Sequence, residues 1–132
     1  LRGQWQAYGT VDPEGVEVVG ADVWVVDASL KRAIRYAGAA GNIGGIANPT
    51  SVFNLAASNA SPTDLASDGT KLFVSDDVAD SVFVYSMSGT VLGQWSLDAA
   101  NADPSDLTTN PAGGTDLWVL DRTDHRVYAY VS

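Results

Sequence analysis

Cysteine is absent from this 132-residue chain, and histidine occurs once, at His125. Neither a disulfide framework nor a thiolate metal site can form, and no pair of imidazoles exists to build an HExxH-type centre. A Ser/His/Asp relay would have to use His125, whose setting in Asp121-Arg122-Thr123-Asp124-His125 reads as a turn. Basic residues are scarce: seven Lys and Arg stand against sixteen Asp and Glu, a net charge of −9. Nucleic acid and anionic membranes need a basic footprint, so neither is an expected partner, and cations or small neutral ligands are easier ones. No apolar run approaches the ~18 residues of a membrane span. Gly, Pro or Asn interrupts every apolar stretch before it reaches helix length, so helix content should be negligible. The compartment is left open by the missing cysteines, with an extracellular or bacterial periplasmic setting favoured. A first residue Leu1 in place of methionine implies an upstream piece that was removed.

What the chain does contain is one unit three times. Val23-Trp24-Val25-Val26-Asp27, Leu72-Phe73-Val74-Ser75-Asp76 and Leu117-Trp118-Val119-Leu120-Asp121 align, each followed nine residues later by Tyr36, Tyr85 or Tyr130. Pro13, Pro62 and Pro104 precede the aspartates by fourteen, fourteen and seventeen residues. The middle copy is the clearest. Leu65 to Ser67 reads as a strand, Asp68-Gly69 as a tight hairpin turn, and Lys71 to Asp76 as the returning strand. Ser81 to Ser86 and Thr90 to Leu97 complete four strands. The spacing predicts strands near residues 1–5, 15–19, 22–27, 32–36, 64–68, 71–76, 81–86, 90–97, 106–110, 115–121 and 126–131. Residues 37–51, rich in Gly, Ala and Asn, are expected to be a floppy excursion with a poorly formed outer strand.

Four antiparallel strands repeating every 42 to 49 residues is the signature of a propeller blade. The pattern Pro-x-Gly-apolar, Asp-Gly, apolar-aromatic-Val-x-Asp and Arg-Val-x-x-aromatic resembles the NHL-repeat propellers and the related gluconolactonase-like six-bladed propellers. Asp121 to Val127 is the closest local match. The glycine after Pro-x is present only as Gly15, its counterparts being Asp64 and Asp106. The third-strand arginine is present as Arg32 and Arg126 but replaced by Ser81. The fold expected is all-β: three four-stranded antiparallel blades, over 11–55, 62–97 and 104–131, within one 1–132 unit.

Three blades do not close a ring, and among the roughly four to eight blades that propellers use, six is the one multiple of three. Two copies are therefore expected to form a homodimeric six-bladed ring, with residues 1–5 completing the partner's third blade by strand exchange. Leu1, Trp5, Arg126, Tyr128 and Tyr130 are the expected interface residues. The rival expectation is that these residues belong to a longer propeller.

Most of the acids fall in the loops of one propeller face, where a negative field would concentrate cations. Asp64 and Asp106 open innermost strands beside the channel and, with Glu14, are the candidate ligands for calcium, which takes several carboxylate or carbonyl oxygens. Asp27, Asp76 and Asp121 are expected to accept backbone N–H groups and hold turns. Trp24, Phe73 and Trp118 are expected to pack between blades. The leading functional reading is a non-enzymatic module for ligand or protein binding and assembly. The resemblance also implies a metal-dependent hydrolase or lyase with Glu14, Glu17, Asp64 and Asp106 near a divalent ion. A carbohydrate-binding propeller with aromatic pockets is the third reading.

Overall fold

The computed structural model describes residues 1–132. An N-terminal segment holds the two-residue strand β1 (Gln6–Ala7). The first repeat then forms β2 (Pro13–Val19), β3 (Asp22–Asp27) and β4 (Arg32–Tyr36). A Gly-rich insert follows, with a short 3-10 turn at Ala39–Gly41 and strand β5 (Ile46–Ala47). Strand β6 (Ser51–Asn54) closes the blade in the order β2-β3-β4-β6. The second blade runs β7 (Pro62–Ser67), β8 (Lys71–Asp76), β9 (Ser81–Ser86) and β10 (Val91–Ser96). The third holds β11 (Pro104–Thr109), β12 (Asp116–Asp121) and β13 (Arg126–Val131). All pairs within the blades are antiparallel. No helix is long and apolar enough to cross a membrane.

Local chemistry explains the strand order. At the first hairpin of blade two Gly69 takes φ +88°, and Asp68 Oδ1 accepts the N–H groups of Thr70 and Lys71. A side-chain acceptor and a residue free of Cβ clash are what this reversal, which turns between the paired Ser67 and Leu72, requires. The opening proline of each blade sits at a bulge, between Pro13 and Gly15, Pro62 and Asp64, and Pro104 and Asp106. Proline has no N–H for the ladder, so pairing slips there and the following residue is re-aimed.

Packing is a stack of sheets. Trp24, Val26 and Ala33 of blade one bury against Leu65, Leu72, Val74, Phe83 and Tyr85 of blade two. The opposite face of blade two, through Ala66, Phe73 and Val82, buries against Leu107, Leu117 and Val119 of blade three. The middle strands are therefore apolar on both faces, as β3 and β8 are nearly throughout.

Three expectations are corrected. Residues 1–5 form no strand; the pairing lies at Gln6–Ala7, parallel to Ile46–Ala47. The insert is docked, because it hydrogen-bonds that N-terminal segment and buries Ala39 and Ala47 against Val23, Val25, Ile34 and Tyr36. Trp118 is half-exposed where its counterparts Trp24 and Phe73 are buried, since no blade of the chain covers its face.

Candidate functional site

The three repeated aspartates hold the blades to their linkers. Asp27 Oδ2 accepts the N–H groups of Val11 and Asp12, while Oδ1 accepts that of Leu30. Asp76 repeats this with Ser61 on one oxygen and Val78 and Ala79 on the other. Asp121 does so with Asp103 and with Thr123 and Asp124. One carboxylate thus ties the strand entering the blade to the turn after its second strand, and each is buried. Burial pushes the Asp27 carboxyl up, but the N–H groups of Val11, Leu30 and Asp12 outweigh it and hold it below its ordinary value. The tied turn contains Lys31, Asp80 or His125 with φ +52°, +44° and +60°, so His125 is a turn residue.

The channel-side acids are a different matter. Asp64 and Asp106 come together across the innermost strands β7 and β11: Asp64 Oδ2 accepts the Leu107 N–H at 2.8 Å, with the Asp106 carboxyl beside it. Burial first, and then the neighbouring Asp106 carboxyl, push Asp64 up to about 8. On its other side lies Gly15, where a Cβ would collide with Asp64 Oδ1. Glycine at that repeat position is what lets the carboxyl lie against blade one. Glu14 is exposed at the bulge and does not join the pair. No group of three acidic or imidazole side chains is placed to hold a metal ion. Two carboxyls, one already accepting an N–H, bring too few oxygens by themselves for calcium, which takes six to eight. Glu17 lies on β2 opposite Trp24, away from the ladder's bulge end, and is raised by burial.

The other candidate is the open flank of blade three. Leu107, Trp118, Leu120 and Val127, with Asp106 and Thr108, line a shallow apolar pocket of about 330 Å³. The exposed edge of blade one offers Val16 and Val18, which are 65% and 54% exposed, while the Leu65 and Leu107 that align with Val16 are buried. Of the expected interface residues, Leu1 and Arg126 are exposed. Tyr128 and Tyr130 lie on the inward face of β13. The Tyr130 hydroxyl accepts the N–H of Asp98 and a side-chain N–H of Asn101, and the Tyr128 hydroxyl reaches Ala100 and Asp124. Strand alternation gives the outward face to Val127, Ala129 and Val131 instead. Trp118, Leu120 and Val127 were missed as surface residues because the repeat shows which positions face a neighbouring blade but not which blade lacks one. Trp5 stands edge-on to Tyr36 with ring centroids 5.4 Å apart.

No family model matches the chain, and no curated protein matches it. Solved structures do. Virginiamycin B lyase from Staphylococcus aureus is similar with a TM-score of 0.60 at 17% identity, over 92% of this chain and 41% of that one. A nidogen/laminin complex gives 0.64 at 21% identity, over 90% and 44%. A putative 6-phosphogluconolactonase from Bacteroides fragilis gives 0.65 at 15% identity, over 90% and 34%. The chain therefore spans less than half the length of each. At these identities the likeness concerns architecture, and with the stacked four-stranded sheets it establishes that the chain has the fold of β-propeller blades.

Proposed function

We propose that this chain is a non-enzymatic β-propeller module whose role is assembly and binding, two copies closing a six-bladed ring. The observation that carries the reading is the pair of unlike open flanks on one stack of blades. Trp118, Leu120 and Val127 on blade three repeat the positions by which Trp24, Val26 and Ala33 of blade one seat blade two. Val16 on blade one repeats the buried Leu65 and Leu107. On blade one Val16 and Val18 lie open while Val23, Val25 and Ile34 are covered by the insert and the N-terminal segment, and a twofold axis would bring the two flanks together at once. In such a ring the acid-rich loops would favour cations or neutral molecules over anions as ligands.

The lyase and lactonase among the similar structures supply a rival reading, but Asp64 and Asp106 bring too few oxygens for a metal-dependent centre. A sugar stacked on Trp118 would use the same apolar pocket that repeat equivalence assigns to a neighbouring blade. Light scattering on the 132-residue chain tests the assembly reading, with an expected mass of twice 13.8 kDa. A well-folded monomer at micromolar concentration would defeat it.

A further inference from the structure

We infer that residues 3–7 form the fourth strand of the third blade of a second copy of this chain, in one defined register. The inference rests on the assembly reading above and specifies its joint.

Three observations converge on it. First, Gly3-Gln4-Trp5 repeats Gly93-Gln94-Trp95 of the outer strand β10. Second, the segment already runs where the outer strand of a preceding blade would run. Trp5 meets Tyr36 at 5.4 Å as Phe53 of blade one meets Tyr85 of blade two at 5.5 Å. Tyr36 donates its hydroxyl to the Tyr8 carbonyl, while Tyr85 and Tyr130 bind the linkers in front of their own blades through Ala56 and Asp98. Third, the edge needed for pairing is free. The N–H groups of Gln4, Gln6 and Tyr8 go to the carbonyls of Ile43, Gly45 and Ala47 in the insert. Alternation along an extended strand sends those of Trp5 and Ala7 to the opposite edge. That opposite edge is the one β10 uses, because the Ala7 counterpart Leu97 donates to the carbonyl of Asp80, the residue just before β9. Meanwhile β13 pairs with β12 alone and presents its other edge unpaired.

The register follows from β9 and β10, where Trp95 faces Val82 and Ser96 faces Ser81. Transferred by repeat position, Trp5 faces the partner's Val127 and Gln6 faces the partner's Arg126. The Trp5 ring then reaches the partner's Trp118 as Trp95 reaches Phe73 and Phe53 reaches Trp24, both at 6.2 Å. A second copy satisfies both open edges by one symmetric exchange and continues the interface already built twice between blades. The insert already covers Val23, Val25, Ile34 and Tyr36, the counterparts of the Leu72, Val74, Phe83 and Tyr85 that seat blade one on blade two, so the joint requires it to share or yield that face.

The chain has no cysteine, so a paired substitution reads the joint directly. The intact chain carrying Gln6→Cys and Arg126→Cys, prepared as an equal mixture of unlabelled and 15N-labelled protein, is oxidised and its linked peptides are identified by mass. The expected result is a covalent dimer of twice 13.8 kDa, with disulfide-linked peptides of mixed label that join position 6 of one copy to position 126 of the other. The shifted pair Gln4→Cys with Arg126→Cys should link less. A dimer by light scattering without a mixed-label peptide joining positions 6 and 126 overturns the exchange and leaves ring closure standing. A monomer overturns both.

Discussion

Asp64 and Asp106 open the innermost strands of adjacent blades, and Asp64 accepts the Leu107 N–H at 2.8 Å with the Asp106 carboxyl beside it. With burial, the pair keeps Asp64 protonated to about pH 8.

That proton makes stability depend on pH with an unusual sign. Between the unfolded value, about 3.9, and the folded value, the native state binds the proton and the unfolded state does not, so stability falls as pH rises. The melting temperature should therefore decline from about pH 4 to about pH 8. In Asp64→Asn, whose amide can donate to Asp106 without a proton, this decline should vanish and the pH 8 melting temperature should rise. A flat wild-type profile over that window would contradict a proton held on Asp64.

The opposite sign holds for Asp27, whose carboxyl lies below its ordinary value on balance, and for Asp121, lowered first by the Asp124 N–H. Their stabilisation is fully present above about pH 3.9 and is lost as pH falls through the folded values. Acid unfolding should set in below about pH 4, and equilibrium denaturation at pH 2 to 4 measures it.

Asp76→Ala should be among the most damaging changes in the second blade. It strands the N–H groups of Ser61, Val78 and Ala79, and a buried donor left without a partner costs about 1 to 3 kcal/mol. The expected total exceeds about 3 kcal/mol by urea denaturation. The exposed Asp116→Asn should stay within about 0.5 kcal/mol of wild type.

Phe73→Ala and Trp118→Ala should separate, although the two residues occupy one repeat position. Phe73 is 2% exposed between blades, so its loss should cost about 3 to 5 kcal/mol. Trp118 lines the open flank, so its loss should lower the dimer fraction much more than the stability of the monomer. Dilution series by light scattering and by unfolding distinguish the two effects. Equal destabilisation of both, at every protein concentration, would place Trp118 inside the stack.

Tyr85→Phe tests the linker contact. The Tyr85 hydroxyl is fully buried and accepts N–H groups from Ala56 and Asn59, so removing it should cost about 1 to 3 kcal/mol. The more accessible Tyr130→Phe should cost less, because water can replace the hydroxyl there.

The sequence by itself determined the repeat and what each copy builds. Strand periods, the Asp68-Gly69 turn and the aligned Asp27, Asp76 and Asp121 all depend on chemistry within some twenty residues, and that chemistry is visible along the chain. Burial of β3 on both faces was equally legible, because Val23 to Val26 is apolar without alternation. Only the tertiary structure decided the rest. Whether Asp64 meets Asp106 depends on the bulges and on the distance between neighbouring innermost strands, which no spacing encodes. Trp118 differs from the buried Trp24 in having no blade beside it, a property of the stack and not of the residue. The N-terminal segment and the Gly-rich insert found each other because each carried an unpaired edge. Backbone groups look alike in every sequence, so a pairing between two distant edges becomes visible only once the chain has brought them side by side.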